Sequence, residues 1–369
     1  MLREMRGGRE GGEPMAPGSP GYDPMLWGAV ERLLDTITVE SVRIHGLGPL
    51  AARRWRESGR DIPGDLIHEE RATRAATMIL PALLTRARNA YDGRLMAFKG
   101  PEVAAAYPGG ARSFSDLDLL VDDAPRAQAA LIGAGFVEVP DPTDHFHGIH
   151  HLAPLVWPEL PLKIEIHETP KWPRGTAPPP SSELFDAAVP ASIGVEGIEA
   201  PAPHHHALLV AAHGWGHTPL RSVRDLLDVA AMAARADSVD IAASAKAWQL
   251  ERMWATTHGA FRWLFYDEER PVAVSLWARH LIRLREPTVL EGHVERWLSP
   301  FWLLAPARAL PLTASRFLAD LRPAPGTTWR AKGDRMARAI RHAFATKSEH
   351  GWVNEDAPPK VELPRPSRD

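Results

Sequence analysis

The sequence predicts an α+β chain: a small mixed sheet with helices packed on it, followed by a mainly α-helical C-terminal half. Three observations carry this. Between Ile67 and Glu168, segments with helical spacing alternate with short strand-like runs, in the order helix, strand, helix, strand, helix, strand, strand, strand. From His204 the strand-like runs stop, and helical patterns continue to about Phe344. The totals, 369 residues with 44% hydrophobic and 24% charged, suit a globular chain long enough for one large or two ordinary domains.

Each element has its own local reason. Leu26–Leu34 has helical spacing, and Ile67–Asn89 is a longer Ala-rich helix that Pro81 is expected to kink or divide. Leu95-Met96-Ala97-Phe98 is a short buried strand ending at Lys99-Gly100, where Pro101 can open a helix over Glu102–Tyr107. Ser115–Val121 is an acidic strand. Asp122 and Asp123 can cap the helix that follows, which ends near Gly133. Gly135–Val139 is strand-like, and His150–Trp157 with Leu162–Glu168 form a strand pair. Pro170–Pro180 is a Pro-rich loop. The helical half contains His204–Trp215, Leu220–Ala236, Ile241–His258 and Val272–Leu284.

The same totals exclude several functions. A net charge of −3 gives no global reason to bind nucleic acid or an anionic surface. With no cysteine there is no disulfide, thiolate metal site or cysteine nucleophile, which fits a reducing cytoplasm. No apolar run is long enough to span a bilayer; Trp297–Leu312 is broken by Pro300, Pro306 and Arg308. The domain division expected is a disordered segment over 1–24, the α/β domain with its leading helices over 25–200, a helical domain over 201–346 and a disordered, Pro-rich tail over 347–369.

The chemistry centres on Ser115-Asp116-Leu117-Asp118-Leu119-Leu120-Val121. Successive strand side chains point to opposite faces, so Asp116 and Asp118 share one and Leu117 and Leu119 the other. Two partly buried acids side by side repel, and a hard divalent cation between them relieves this. A half-exposed strand with two solvated carboxylates is the competing interpretation. In Leu162–Glu168, Lys163, Glu165 and His167 share a face, which makes Glu165 a third carboxylate if that strand lies beside the first. Lys99-Gly100 offers a point charge and close backbone approach to an anion. Arg112 can take a phosphate bidentately, and Ser115 precedes the acids on the same loop. Each of these also fits an ordinary surface position.

Taken together, Ala97-Phe98-Lys99-Gly100-Pro101-Glu102, Arg112-Ser113-Phe114-Ser115-Asp116-Leu117-Asp118-Leu119-Leu120-Val121, Ala134-Gly135-Phe136, Ile164-Glu165-Ile166-His167 and His213-Gly214-Trp215-Gly216-His217 with Leu220-Arg221 and Asp225 resemble an uncharacterised nucleotidyltransferase family of bacteria. That family lies in the polymerase-beta-like superfamily, and the resemblance covers roughly Gly46 to Leu264. It implies a polymerase-beta-like sheet, with Asp116, Asp118 and Glu165 as catalytic carboxylates binding Mg²⁺ (or Mn²⁺). Lys99, Gly100, Arg112 and Ser115 would hold the nucleotide. Lys99-Gly100 stands where the wider superfamily has a Gly-Ser turn. The implied substrates are a nucleoside triphosphate, such as ATP, and an acceptor that is a small molecule, a peptide or a protein. Nucleic acid is not expected. A non-catalytic homologue that binds a nucleotide or partner is the second reading. A metal-dependent nuclease is a third, against which His167 stands where a Lys is wanted.

The histidines and the C-terminal basic stretch remain. His213 and His217, at i and i+4, suit zinc by spacing, but Gly214 replaces the Glu a zincin needs, so with Arg221 and Asp225 they are expected as a polar cluster facing the cleft or locking the helices to the sheet. His204-His205-His206 is expected as a surface run. His145, His147, His150 and His151 crowd one segment. Trp329–Phe344 is a basic amphipathic helix, suited to a membrane surface, a phosphorylated partner or plain solvent.

Overall fold

The computed structural model describes residues 21–139, 151–158, 160, 162–323 and 326–349. His145, His147 and His150 lie outside the described residues, as do most of the two segments expected to be disordered.

Three helices come first. Asp23 caps α1 (Pro24–Thr36) by accepting the amides of Met25 and Leu26, and Pro24 opens it. α2 (Val39–His45) starts from a Thr38 cap and ends at Gly46, whose φ of 67° is left-handed. α3 (Gly48–Ser58) follows. The last two were not foreseen. α4 (Gly64–Ala90) then runs undivided through Pro81, because Leu80, Leu83, Leu84 and Ala87 stay buried along one side.

The mixed α/β order follows as expected: β1 (Leu95–Ala97), α5 (Pro101–Ala104), β2 (Asp116–Val121), α6 (Ala124–Gly133), β3 (Val137–Glu138), β4 (Leu155–Val156) and β5 (Lys163–His167). α5 is shorter than expected, since the chain leaves the helix after Ala104 for the turn before Pro108. Asp123 caps α6. After α7 (Ser181–Asp186), two unforeseen two-residue strands, β6 (Val189–Pro190) and β7 (Glu199–Ala200), complete one mixed sheet in the order β3-β4-β5-β2-β1-β7-β6. β2 is antiparallel to β1 and parallel to β5.

The rest of the described chain is helical: α8 (Pro203–His217), α9 (Val223–Ala233), α10 (Ser238–Ala247), α11 (Glu251–Tyr266), α12 (Val272–Leu276), α13 (His280–Arg283), α14 (Val289–Leu298), α15 (Pro300–Leu303), α16 (Pro306–Leu321) and α17 (Trp329–Arg341). The single helix expected over Ile241–His258 is two, because Gln249 takes a φ of 56° between them. The one expected over Val272–Leu284 is also two, the second ending at Leu284 with a φ of 49°. No described helix is long and apolar enough to cross a membrane.

The sheet has a core on each face. Leu117, Leu119, Ile164 and Ile166 pack with Leu80, Leu83, Leu84 and Leu131 of α4 and α6. On the other face, Met96, Phe98 and Leu120 join α1, α3, α8, α9 and α11 in the larger core. Strand alternation puts Asp116 and Asp118 on the face of Leu120, so the carboxylates look toward the helical half.

Candidate active site

The register of β2 and β5 builds the centre. Asp118 lies opposite Glu165, Asp116 opposite Lys163 and Leu120 opposite His167. In a parallel pair, opposed residues point to the same face, so Asp118 and Glu165 stand side by side. His167 Nε2 lies 3.0 Å from Asp118 Oδ1. Ligand atoms of Asp118, Glu165 and His167 all fall within 4.8 Å of one another, which makes them a possible metal-holding group among the described residues. The sequence reading had named Asp116, Asp118 and Glu165. The structure brings the last two together with His167, and leaves Asp116 one pleat along, lining a cleft.

Burial makes this arrangement electrostatically tense. Asp118 is only 1% exposed. Burial raises its pKa, but the Lys99 ammonium, with Nζ 3.1 Å from Oδ2, and His167 outweigh that and hold it well below the ordinary carboxylate range. Oδ2 faces Lys99 as an ion pair and accepts no hydrogen bond. Asp116 is pushed up by burial and then by the charge of Asp118. Glu165 is pushed up by burial, then by Asp118 and Asp116. Lys99 is thus the ammonium paired directly with Asp118, on a face carrying three acids.

Lys99 and Gly100 occupy the turn after β1. Gly100 has a φ of 56°, and a Cβ there would lie 2.8 Å from the Asp116 carbonyl oxygen, so only glycine fits between turn and acidic strand. The Glu102 and Ala104 amides donate to the carbonyls of Lys99 and Gly100, and the Lys99 side chain turns to Asp118.

A cleft of about 660 Å³ opens between α4, the loop before β2, and α8 with α9. Lys99, Gly100, Arg112, Ser115 and Asp116 line it from the sheet side, and His213, His217 and Arg221 from α8 and the loop after it. Ser115 is exposed. Arg112 is instead committed: its Nε and one terminal nitrogen each donate at 2.7 Å to the carboxylate of Asp228 on α9, which also accepts from Tyr107 Oη at 2.5 Å. Burial opposes the guanidinium charge, and Asp228 more than restores it. The fork expected to grip phosphate therefore ties the sheet-side loop to α9.

The histidines sort by depth. The rings of His213 and His217 lie 4.7 Å apart on α8. Burial, then the Lys99 charge, holds His213 well below its usual value, so it is neutral. His217 is within 2.8 Å of Lys171 Nζ, and burial, then Lys99, brings Lys171 down to about 8. His205 and His206 are buried rather than a surface run, because α8 begins at Pro203 and packs its first turn inward. His206 Nε2 donates to the Phe98 carbonyl at 2.7 Å, latching α8 to the residue before Lys99. The reading from sequence missed Lys171, hidden in a loop judged by its prolines. It also missed Asp228 and Arg224, the latter a cleft-lining side chain whose buried Nε has no hydrogen-bond partner.

The family model of the uncharacterised nucleotidyltransferases matches residues 38–265, a span that contains every residue of the cleft and the carboxylate face. Neither the curated proteins nor the solved structures contain a match.

Proposed function

The chain belongs to the uncharacterised nucleotidyltransferase family, and from that premise we propose that it uses Mg²⁺ or Mn²⁺ to move a nucleoside monophosphate from a nucleoside triphosphate to an acceptor hydroxyl or phosphate, releasing pyrophosphate. The observation that carries the proposal is the parallel register that sets Asp118 beside Glu165, with His167 against them and Asp116 a step away in the cleft. An oxygen-rich donor set suits a hard divalent ion. The fit rests on the ligand atoms of Asp118, Glu165 and His167 lying within 4.8 Å of one another, and on Asp116 and Glu165, pushed up by burial and then by the neighbouring acids. Asp116, Asp118 and Glu165 would hold the ion, with His167 at its edge. Bound there, it supplies charge to the triphosphate and lowers the pKa of the attacking group.

The protein's own groups orient and balance. Lys99 keeps Asp118 ionised, and Gly100 lets the turn lie against β2. Arg112 pins the loop carrying Ser115 to α9 through Asp228. Arg221 and Arg224 line the cleft together with Lys99 and Asp225, and a polyphosphate would draw on their charge. ATP is the first triphosphate to test, and the cytoplasm supplies it. The acceptor is a small molecule, a peptide or a protein; a net charge of −3 argues against nucleic acid.

A second reading, nucleotide binding without turnover, draws on the Lys99–Asp118 contact, since an ammonium already serves the central carboxylate. Labelled triphosphates incubated with Mg²⁺ and cell extract separate the two. Transfer of label with pyrophosphate release is expected, falling by about a thousandfold or more in Asp116→Asn/Asp118→Asn. Equal calorimetric affinity of wild type and double variant for the Mg²⁺–nucleotide complex sinks the site assignment. Tight binding with no pyrophosphate released favours the second reading.

A further inference from the structure

None of the residues of α17 is buried. Its large apolar side chains nevertheless fall on one stripe. Trp329, Met336 and Ile340 are spaced i, i+7 and i+11, which returns each to nearly the same side of a helix, and Phe344 continues the line just past its end. All four face water, with exposures of 69%, 37%, 74% and 82%. The remaining surface carries Arg330, Arg335, Arg338 and Arg341, with Lys332 flanking the stripe and Asp334 as the one acid. α16 repeats the pattern: Leu310, Phe317 and Leu321 share the same spacing, Leu318 adjoins them, and all four are exposed. α17 thus leaves its apolar stripe uncovered and α16 leaves one partly covered, Phe317 packing on Trp297, where a globular chain ordinarily exposes single apolar residues.

We propose that α17 docks the enzyme on a bilayer rich in anionic phospholipid, lying in the headgroup layer with its apolar stripe inward. Charge complementarity selects this occupant. A helix with an apolar stripe and a strongly basic remainder satisfies both at the edge of an anionic membrane, the stripe entering the acyl boundary while the guanidinium groups meet lipid phosphates. A phosphorylated peptide would meet the arginines and leave Trp329, Ile340 and Phe344 in water. A second copy of the helix would cover the stripes but bring two basic rows, with both Lys332 side chains at the seam, into mutual repulsion. The cleft and carboxylate face use no residue of α16 or α17, so docking adds to the proposed transfer without depending on it.

The test is cosedimentation of the full chain with vesicles of phosphatidylcholine alone and of equimolar phosphatidylcholine and phosphatidylserine. Binding to the anionic vesicles only is expected. Arg338→Gln should lower the partition coefficient by about fivefold, and Ile340→Asp should abolish binding while the far-ultraviolet dichroism and metal-dependent transfer stay unchanged. Both changes lie at exposed positions, so folding is not at stake. Failure to bind anionic vesicles, or equal binding to both kinds, overturns the proposal. So does vesicle-independent dimerisation that Ile340→Asp abolishes, which assigns the stripe to a second copy. Capture of a phosphopeptide unaffected by Ile340→Asp assigns the arginines to a different partner and also overturns it.

Discussion

The two walls of the cleft balance their charges differently. The strand wall, β2 with β5 beside it, gathers Asp116, Asp118 and Glu165 on one face, of which Asp116 lines the cleft, and sets Lys99 against Asp118. The helical wall, α8, α9 and the loop between them, presents Arg221, Arg224, Asp225 and a histidine held neutral by burial. The strand wall leaves Asp116 and Glu165 pushed up by burial and by their neighbours' charge, whereas the helical wall sets Asp225 against Arg221 and Arg224. On the function proposed above, a polyanion bearing a divalent ion would lie between the two.

Cutting the tie between the walls should have the largest effect. Arg112→Ala leaves the carboxylate of Asp228 and the hydroxyl of Tyr107 buried without their cation, and loss of one member of a buried pair costs about 3–5 kcal/mol. Urea unfolding should show this as a lower midpoint at unchanged slope. An Arg112→Ala protein as stable as wild type would show that the walls are held together elsewhere.

Acid should separate the walls next. Buried His205 and His206 are held down to about 4, while unfolded imidazoles take up protons near pH 6.5. The unfolded chain therefore binds more protons in that window. The contribution of these histidines is intact above about pH 6.5 and is lost as pH falls toward 4, on the order of 3 kcal/mol each at most. The strand wall runs the other way. Asp116 and Glu165 have raised folded values, so their contribution is present below the ordinary carboxylate range and is lost as pH rises through the raised values. Stability measured from pH 7 to 4 should fall, and should fall less in His206→Gln. An unchanged slope in that variant would remove the helical wall from the account.

The smallest effect is a gain. Without divalent cation, Asp116→Asn removes a repelled, buried charge and should stabilise the protein by about 1 kcal/mol at neutral pH, while wild type alone gains a few degrees of melting temperature on adding Mg²⁺ or Mn²⁺. Calorimetric scans with and without metal check both. Destabilisation by Asp116→Asn would mean that the carboxylate is better compensated than its surroundings imply.

What the sequence disclosed divides along the same lines. Period-2 alternation is local, so β2, β5 and the shared faces of Asp116 with Asp118 and of Glu165 with His167 were legible before any coordinate. The cap and proline chemistry of α1 and α6 was legible for the same reason. Long-range partners were not. Arg112 looks like a free phosphate ligand until Asp228, on a helix more than a hundred residues away, takes its fork. The depth of His205 and His206 depends on which side of α8 meets β1, and a run of three identical residues carries no periodicity to show it. The break between α10 and α11 falls at Gln249 in a left-handed conformation that no glycine announces, and β6 and β7 are too short to leave a pattern.

The parallel register of β2 and β5 has a consequence for how the protein comes into being. Parallel neighbours cannot zip from a hairpin, and here α6, β3 and β4 all intervene between the two strands. Pairing of this kind pays its loop-closure entropy before contacts reward it, so it belongs to the slow, late part of folding. On an elongating chain, β2 emerges with its two acids and no Glu165 or His167 to stand beside them. The three-acid face is therefore incomplete until β5 has been made and has paired with β2.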